Sequence, residues 1–243
     1  MVDIIAHRGS SSYTPENTKA AFNKAVQDKV DGVELDVHLT KDKKAVVIHD
    51  ERIDRTSNGK GFVKDYTFQQ LKEFDFGSFF SEDYQGEKIL SLAEALEIVK
   101  ELDLINIEIK KGYGINEGIE KAIIKDIKEK ELNEKVLISS FNHESLLILQ
   151  ELEENINTAA LFFAKVHKPW QYAKMINCKY LHLYYVLVNQ ALVQACHKNN
   201  IKVNVFTVNE EYDIKKMLAC DVDGIITDYP LRVRDIIKKS AQR

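Results

Sequence analysis

The sequence has little of what would assign it to several other protein classes. Its three cysteines (Cys178, Cys196 and Cys220) are an odd number without metal-ligand spacing, so we expect reduced, buried thiols. No apolar run approaches the roughly 18 residues that a membrane span needs. The N-terminus lacks the basic-then-apolar pattern of a signal peptide, and we therefore expect a cytoplasmic protein.

An excess of basic residues is also missing. The formal net charge is −4, whereas nucleic-acid binding depends on clustered lysine and arginine. The single tryptophan, Trp170, is not part of an exposed aromatic and basic helix of the kind that seeks membranes. We therefore expect a small-molecule substrate, with neither nucleic acid nor a stably bound membrane as partner. The oligomeric state stays open.

What the sequence does contain is a regular alternation of short apolar strands and amphipathic helices over its 243 residues. Strands are predicted at residues 4–7, 32–37, 104–110, 136–140, 158–162, 180–183, 202–207 and 224–227. This alternation predicts the α/β class and a (β/α)8 TIM barrel, in a single domain over residues 1–243. A doubly wound open sheet is the alternative, but no glycine-rich dinucleotide turn supports it.

One segment interrupts the alternation. Between the second and third barrel strands lie about 65 residues in place of the usual short loop and helix. A turn at residues 41–44 and an apolar run at 45–48 predict a hairpin that returns His49 to a position beside Glu34 and Asp36. We interpret the remainder, about residues 51–90 with one helix at 68–74, as a small inserted subdomain over the barrel mouth.

Carboxylates gather at the predicted carboxyl ends of the second and third barrel strands, where the active site of such a barrel lies. Glu34 and Asp36 alternate with apolar residues and therefore share one face of their strand. Asn106, Glu108 and Lys110 share a face of the next strand in the same way. Three carboxylates without a cysteine favour an oxygen-ligated divalent cation, Mg²⁺ or Ca²⁺.

Two histidine motifs flank these carboxylates, His7-Arg8 after the first strand and His49-Asp50 after the hairpin. Histidines on both sides of a metal site indicate metal-assisted acid–base chemistry. The cations Arg8 and Lys110 then need an anion, and a phosphate group fits. These motifs also have structural alternatives. In one, the carboxylates form salt bridges to Arg8 and Lys110 without a metal, and in another His49-Asp50 caps a turn. Their convergence at one end of successive strands favours function.

Other motifs carry weaker expectations. Thr14 and Pro15 predict a helix start, with Thr14 as the N-cap, and Glu16 is placed to brace Arg8. Asp228-Tyr229-Pro230 predicts another helix start. Phe206 fits a pocket lining or a core role equally well. The remaining histidines have no partner pattern and are expected at the surface or in packing, with His182 able to face the barrel interior: His38, His143, His167, His182 and His197.

Short motifs that together span residues 4–230 carry a family resemblance. They include Ile5-Ala6-His7-Arg8-Gly9, Pro15-Glu16-Asn17-Thr18, Val33-Glu34-Leu35-Asp36-Val37, Val47-Ile48-His49-Asp50, Asp54-Arg55-Thr56, Phe76-Gly77-Ser78, Ile107-Glu108-Ile109-Lys110, Ser140-Phe141 and Val222-Asp223-Gly224-Ile225-Ile226-Thr227-Asp228-Tyr229-Pro230. Their order and content resemble the glycerophosphodiester phosphodiesterase family, which has phospholipase-C-like TIM barrels. The set is specific, although no single motif is.

The resemblance implies a TIM barrel with an insertion after the second strand and hydrolysis of glycerophosphodiesters to glycerol 3-phosphate and an alcohol. It also implies roles for particular residues: metal ligands Glu34, Asp36 and Glu108, an acid–base pair His7 and His49, and phosphate contacts Arg8 and Lys110. Phe206 stands where the family commonly has tryptophan, which keeps an aromatic ring but removes the indole donor. Leu90-Ser91 replaces a common Pro-Thr, and Ser91 still serves as a helix N-cap.

Two alternatives to this function stay open. One is a phospholipase D-like or other phosphodiesterase that acts on intact lipids from the same barrel. The other is a barrel that binds metal or phosphate without catalysis, which would require a missing histidine or ligand, and none is missing.

Overall fold

The computed structural model describes residues 2–110 and 116–241, and these form ten strands and nine α-helices. The strands are β1 (Asp3–His7), β2 (Gly32–Leu39), β3 (Ala45–Val47), β4 (Leu90–Ser91), β5 (Leu104–Ile109), β6 (Val136–Ser140), β7 (Asn157–Phe162), β8 (Tyr180–Tyr184), β9 (Lys202–Phe206) and β10 (Gly224–Thr227). The helices are α1 (Lys19–Gln27), α2 (Phe68–Leu71), α3 (Leu92–Val99), α4 (Ile119–Glu129), α5 (His143–Leu152), α6 (Pro169–Met175), α7 (Gln190–His197), α8 (Glu211–Ala219) and α9 (Pro230–Ala241).

Eight strands close into a parallel barrel in the order β1, β2, β5, β6, β7, β8, β9 and β10, and β10 pairs back with β1. Helices α1 and α3 to α9 follow these strands in turn along the chain. This closed arrangement confirms the predicted TIM barrel and excludes the open sheet, whose edge strands would stay unpaired. The carboxyl ends of all eight strands consequently meet at one mouth.

Side-chain alternation on β2 explains how the core and the mouth are built from one strand. Val33, Leu35 and Val37 are fully buried in the main core between the barrel and its helices. Glu34 and Asp36 lie between them in sequence and therefore point to the barrel interior. The apolar face holds the strand in place, and the polar face supplies the mouth with charge.

The hairpin predicted after the second barrel strand is present. β3 runs antiparallel to β2, with Val37 opposite Val47, and β4 pairs with β3. Residues 51–89 then lie over a second hydrophobic cluster, separate from the main core: Val46, Ile48, Ile53, Val63, Leu71, Phe76 and Ile89. The boundaries of an inserted subdomain at about 51–90 stay a prediction.

Two helix boundaries differ from the sequence-based expectation. The first helix begins at Lys19 with Thr18 as its N-cap, not at Pro15 with Thr14. The reason is Asn17, whose φ of 58° is left-handed and interrupts the helix before it. The helix predicted at 68–74 ends at Leu71, although its start is well capped. Ser91 caps α3 as expected.

The structure also bears on the compositional expectations. Cys178, Cys196 and Cys220 are free and buried, and burial raises the pKa of the Cys178 and Cys196 thiols to about 11. These cysteines are therefore packing residues, as expected. Within residues 2–110 and 116–241, every helix is too short or too polar to cross a membrane.

Candidate active site

Three buried carboxylates meet at the mouth of the barrel. Glu34 and Asp36 extend from β2, and Glu108 extends from β5, where it is the register partner of Asp36. All three residues are less than a tenth exposed, and one oxygen of each lies within 4.8 Å of the others. We refer to Glu34, Asp36 and Glu108 as the carboxylate cluster.

Charge repulsion inside the carboxylate cluster is strong because water is excluded. Burial, together with repulsion from Asp36 and Glu108, raises the pKa of Glu34 well above its usual value. Burial also raises the pKa of Glu108. Burial opposes ionisation of Asp36 too, but the nearby charges of Lys110 and Arg8 outweigh it and hold the pKa of Asp36 far below its usual value.

The carboxylate cluster has unused ligand capacity. Glu34 Oε1 and Asp36 Oδ1 are buried and accept no hydrogen bond from any residue that the structure describes. Asp36 Oδ1 lies 3.0 Å from Lys110 Nζ, an ion pair without hydrogen-bond geometry, and Lys110 also pairs with Glu108. Buried oxygens that accept no hydrogen bond, in an all-oxygen donor set, are what a hard divalent cation satisfies. The cluster therefore fits Mg²⁺ or Ca²⁺.

Arg8 reaches the carboxylate cluster through both its backbone and its side chain. Its φ of 56° is left-handed, a conformation that is costly for arginine and is held by its neighbours. The Arg8 backbone N–H donates to Glu34 Oε2 at 3.0 Å. The guanidinium donates to Glu16 Oε1 at 2.9 Å, the bracing expected from sequence, and its Nε lies 3.4 Å from Asp36 Oδ2.

His7 is held by a carboxylate from the last barrel strand. Its Nδ1 lies 2.6 Å from Asp228 Oδ1, and its Nε2 points toward Glu34 Oε2 at 3.9 Å. Asp228 also accepts hydrogen bonds from the Ser11 hydroxyl and the Asn209 amide. Burial works against ionisation of Asp228, but these three partners lower its pKa to about 2. Asp228 therefore stays ionised and orients the imidazole.

Asp228 is a candidate site residue that sequence reasoning missed. It was expected only to precede a helix, and α9 does begin at Pro230. His7 and Asp228 are 221 residues apart in the chain. They meet because β1 and β10 pair where the barrel closes, with Ala6 opposite Thr227. A signal was available, because a closed barrel always places its last strand beside its first.

His49 has a carboxylate partner from its own motif. Its Nδ1 lies 2.6 Å from Asp50 Oδ1, so Asp50 orients a side chain rather than capping a turn. Arg55 donates to Asp50 at 2.7 Å and to both oxygens of Glu16 at 2.8 Å. Since Glu16 also binds Arg8, one chain of ion pairs joins the two histidine motifs.

The environment of His49 favours its neutral form. Burial lowers the pKa of His49, and Lys110 and Arg8 act in the same direction against the charge of Asp36. The backbone carbonyl of His49 accepts a hydrogen bond from His38 Nε2 at 3.0 Å. His38 is therefore a packing residue, as expected, and it holds the backbone of a candidate catalytic residue.

Phe206 lies at the mouth with its ring partly exposed, among other aromatic rings. Its centroid is 5.7 Å from that of Phe163, 6.0 Å from that of Phe141 and 6.4 Å from that of Tyr184. The rings lie at the carboxyl ends of four neighbouring strands, β6 to β9. Phe206 thus lines the mouth and does not belong to the main core.

The other histidines lie away from the carboxylate cluster. His143 contacts Tyr172, His182 contacts Asn204 in the barrel interior, His197 contacts Asp223, and His167 is exposed. Six of the predicted site residues converge in space, as the distances above show: His7, Arg8, Glu34, Asp36, Glu108 and Lys110. His49 is joined to them by the ion pairs through Asp50, Arg55 and Glu16, and it is close enough to interact electrostatically with Asp36.

A closed parallel barrel with its polar residues at the carboxyl ends of the strands is the architecture of TIM-barrel enzymes. The model of the glycerophosphoryl diester phosphodiesterase family matches residues 7–232. The chain belongs to this family and is an enzyme, a phosphoric diester hydrolase.

Known proteins of the family align over nearly the whole chain. A glycerophosphodiester phosphodiesterase of Caldanaerobacter subterraneus subsp. tengcongensis is 44% identical over 237 residues, which are 97% of this chain and 98% of that protein. One of Bacillus altitudinis is 40% identical and covers 98% of this chain and 100% of its own length. The structure of an Oleispira antarctica phosphodiesterase in complex with the product sn-glycerol-3-phosphate has a TM-score of 0.92 at 30% identity, covering 97% of this chain and 96% of that one.

Proposed function

We propose that the protein hydrolyses glycerophosphodiesters, such as glycerophosphocholine, glycerophosphoethanolamine and glycerophosphoglycerol, to sn-glycerol 3-phosphate and an alcohol. The observation that carries the proposal is the pair of carboxylate-bound histidines, His7 and His49, beside one carboxylate cluster. The product bound to the Oleispira antarctica phosphodiesterase supports the choice of a glycerophosphodiester substrate.

The carboxylate cluster would hold one divalent cation, Mg²⁺ or Ca²⁺. When bound, such a cation polarises phosphate oxygens and offsets the negative charge that develops during displacement at phosphorus. The raised pKa of Glu34 supports the proposal, since it reflects burial and repulsion by Asp36 and Glu108, which a bound cation would offset.

The residues around the cluster bind the phosphate and move protons. Arg8 and Lys110 contribute positive charge that pairs with the anionic diester. Of His7 and His49, one removes a proton from the nucleophile and the other protonates the leaving alkoxide, and such steps typically contribute about 10²- to 10⁴-fold each. Water or the neighbouring glycerol hydroxyl serves as the nucleophile, and the latter route passes through a cyclic phosphate.

We also propose that the segment of about residues 51–90 is part of the catalytic domain and not a separate module. Arg55 supports this assignment because it donates to Asp50 and Glu16, both of which contact the histidine and arginine motifs. The segment thereby reaches the proton-transfer residues through ion pairs that are partly shielded from water.

Metal removal tests the proposal. Treatment with EDTA should abolish hydrolysis of glycerophosphocholine, and added Mg²⁺ or Ca²⁺ should restore it. Calorimetric titration gives a readout apart from activity, because Glu108→Gln should weaken Ca²⁺ binding at least about tenfold. Full activity in a preparation verified to be free of metal would contradict the assignment of the carboxylate cluster.

Substrate comparison tests the reaction itself. The metal-loaded enzyme should cleave glycerophosphocholine faster than lysophosphatidylcholine, and bis-p-nitrophenyl phosphate serves as a generic diester. Faster cleavage of the lipid would instead favour the phospholipase D-like alternative. The expected cytoplasmic location and lack of stable membrane association stay predictions, and cell fractionation checks them.

A further inference from the structure

Four aromatic rings form a continuous surface at the barrel mouth, and we call Phe141, Phe163, Tyr184 and Phe206 the aromatic wall. Phe163 stacks on Tyr184 with centroids 4.8 Å apart and an interplanar angle of 17°. Phe141 and Phe206 meet at 6.0 Å and nearly at right angles. Offset and edge-to-face contacts of this kind hold rings in fixed orientations.

The aromatic wall faces the same cavity as the chemistry. Three of its rings lie two residues after buried polar residues of the barrel interior. Tyr184 and Phe206 are still within their strands, so alternation puts each on the same face as its buried polar partner, and Phe141 directly follows the end of β6. The pairs are Ser139 and Phe141, His182 and Tyr184, and Asn204 and Phe206. Ser139 is the register partner of Glu108, so one end of the wall adjoins the carboxylate cluster.

Two rings of the aromatic wall are exposed beyond what core packing requires. Phe163 is 64% exposed and Phe141 is 46% exposed. Clustered exposed rings at the mouth of an enzyme mark a surface that a ligand covers. The side of the mouth opposite the histidines is therefore built for contact with part of the substrate.

Acidic residues begin the helix that follows the last strand of the aromatic wall. Tyr185 packs on Tyr184 with centroids 5.1 Å apart. The pKa of the Tyr185 hydroxyl is raised by partial burial and then by the negative charges of Asp213 and Glu210. Both acids lie at the start of α8, which follows the strand that carries Phe206. Negative potential beside exposed π-faces favours a cation.

We infer that the aromatic wall binds the cationic head of the alcohol that leaves from phosphorus, and that its preferred ligand class is a quaternary ammonium. The inference rests on the proposed function, which places a phosphodiester at the carboxylate cluster. An acyl chain would also contact the rings, but it would gain nothing from the charges of Glu210 and Asp213. A quaternary ammonium uses both, since its methyl groups cover ring faces and its charge faces the acids.

A pair of substrates with the same shape and different charge tests the inference. Glycerophosphocholine is compared with the glycerol 3-phosphate ester of 3,3-dimethylbutanol, in which carbon replaces the ammonium nitrogen. The wild-type kcat/KM ratio of the two should favour choline about three-fold or more, the range that exposed cation–π contacts support. Phe163→Leu keeps apolar bulk and removes the ring, so it should lower the ratio about three-fold, toward the value set by the different acidity of the two leaving alcohols.

A matched control is the preceding residue, Phe162, which is the last residue of β7. Phe162 packs on the opposite face against His143 and Tyr172, so Phe162→Leu should leave the ratio unchanged. A wild-type ratio of one or below, or a ratio that Phe163→Leu does not change, overturns the inference. Preference for the neutral ester would show that the wall recognises apolar groups only.

A binding measurement separates this inference from the proposed reaction. Saturation-transfer NMR with free choline should show transfer to the trimethylammonium protons, weakened by Phe163→Leu and not by Phe162→Leu. The neutral probe is 3,3-dimethylbutanol, which should show less transfer. If no glycerophosphodiester is cleaved but choline binds in this way, the proposed reaction is contradicted and the proposed role of the aromatic wall is supported. Equal transfer to both probes overturns the inference that the aromatic wall prefers a cation, whether or not the enzyme hydrolyses the diesters.

Discussion

The barrel mouth has two unlike halves. The charged half, on β10, β1, β2 and β5, carries the carboxylate cluster with His7, Arg8, Lys110 and Asp228. The aromatic half, on β6 to β9, carries the aromatic wall. The last residue of each of these strands and the residue after it are uncharged. The charged half is largely buried and cross-braced by ion pairs, whereas the aromatic half is open to solvent.

This difference separates chemistry from recognition. Removing one partner from a buried ion pair leaves the other uncompensated, so the charged half tolerates change poorly. Exposed rings contribute little to folding, so the aromatic half is free to vary in what it contacts. Substitutions in the charged half should therefore affect turnover, and substitutions in the aromatic half should affect the choice of substrate.

The largest expected effect lies with two histidines, His7 in the charged half and His49 next to it. His7→Ala and His49→Ala should each reduce kcat at least about 100-fold, because each removes a proton-transfer group. Thermal stability should stay close to that of the wild type, since both side chains are partly exposed. Steady-state kinetics and a thermal melt measure the two effects.

The control for these variants is a histidine under the aromatic half. His143 contacts Tyr172 and the Leu161 carbonyl, so His143→Ala should keep wild-type kcat even if it melts earlier. A variant of His7 or His49 with wild-type turnover would remove that residue from the proposed acid–base pair.

Loss of the His7 partner should have the next largest effect. Asp228→Asn keeps the shape of the side chain but removes the charge that holds Nδ1 of His7, and we expect kcat to fall about 10- to 100-fold. KM should change little, because Asp228 contacts His7, Ser11 and Asn209 and not Arg8 or Lys110, the residues proposed to bind phosphate. A variant that changes KM alone would show that Asp228 shapes binding and does not position His7.

The smallest effect concerns stability under the aromatic half. Burial lowers the pKa of His182 in the barrel interior to about 3, against an ordinary value of 6.5. The unfolded chain therefore binds a proton below about pH 6.5 that the folded protein does not bind until near pH 3. The contribution of His182 to the free energy of unfolding is therefore fully present above pH 6.5 and is lost as the pH falls. At pH 5 the loss is about 2 kcal/mol.

Urea unfolding at pH 7.5 and pH 5 measures this contribution. His182→Gln still accepts a hydrogen bond from Asn204 but does not titrate, so its free energy of unfolding should fall about 2 kcal/mol less than that of the wild type. The exposed His167 provides the matched variant, and His167→Gln should follow the wild type. Identical pH dependence in His182→Gln and the wild type would show that His182 is not held neutral.

Comparison of sequence and structure shows which features were predictable. Each barrel strand lies where its apolar run predicted, and the alternation of Glu34, Asp36 and Glu108 with apolar residues anticipated the carboxylate cluster. The predicted start of the first helix at Pro15 was wrong. Asn17 has a left-handed backbone conformation, and its side chain donates a hydrogen bond to Asp36. A contact with the neighbouring strand β2 therefore outweighs the local capping pattern.

Local pattern was sufficient for the barrel and the acidic cluster, because strand alternation and helix periodicity are properties of neighbouring residues. The partners of the histidine motifs depended on closure of the barrel and on packing of the 51–90 segment. His7 meets Asp228 across 221 residues, and Arg55 meets Glu16 across 39. The aromatic wall likewise comes from four separate strands. Such contacts arise only when distant segments share one mouth, and no short-range pattern encodes them.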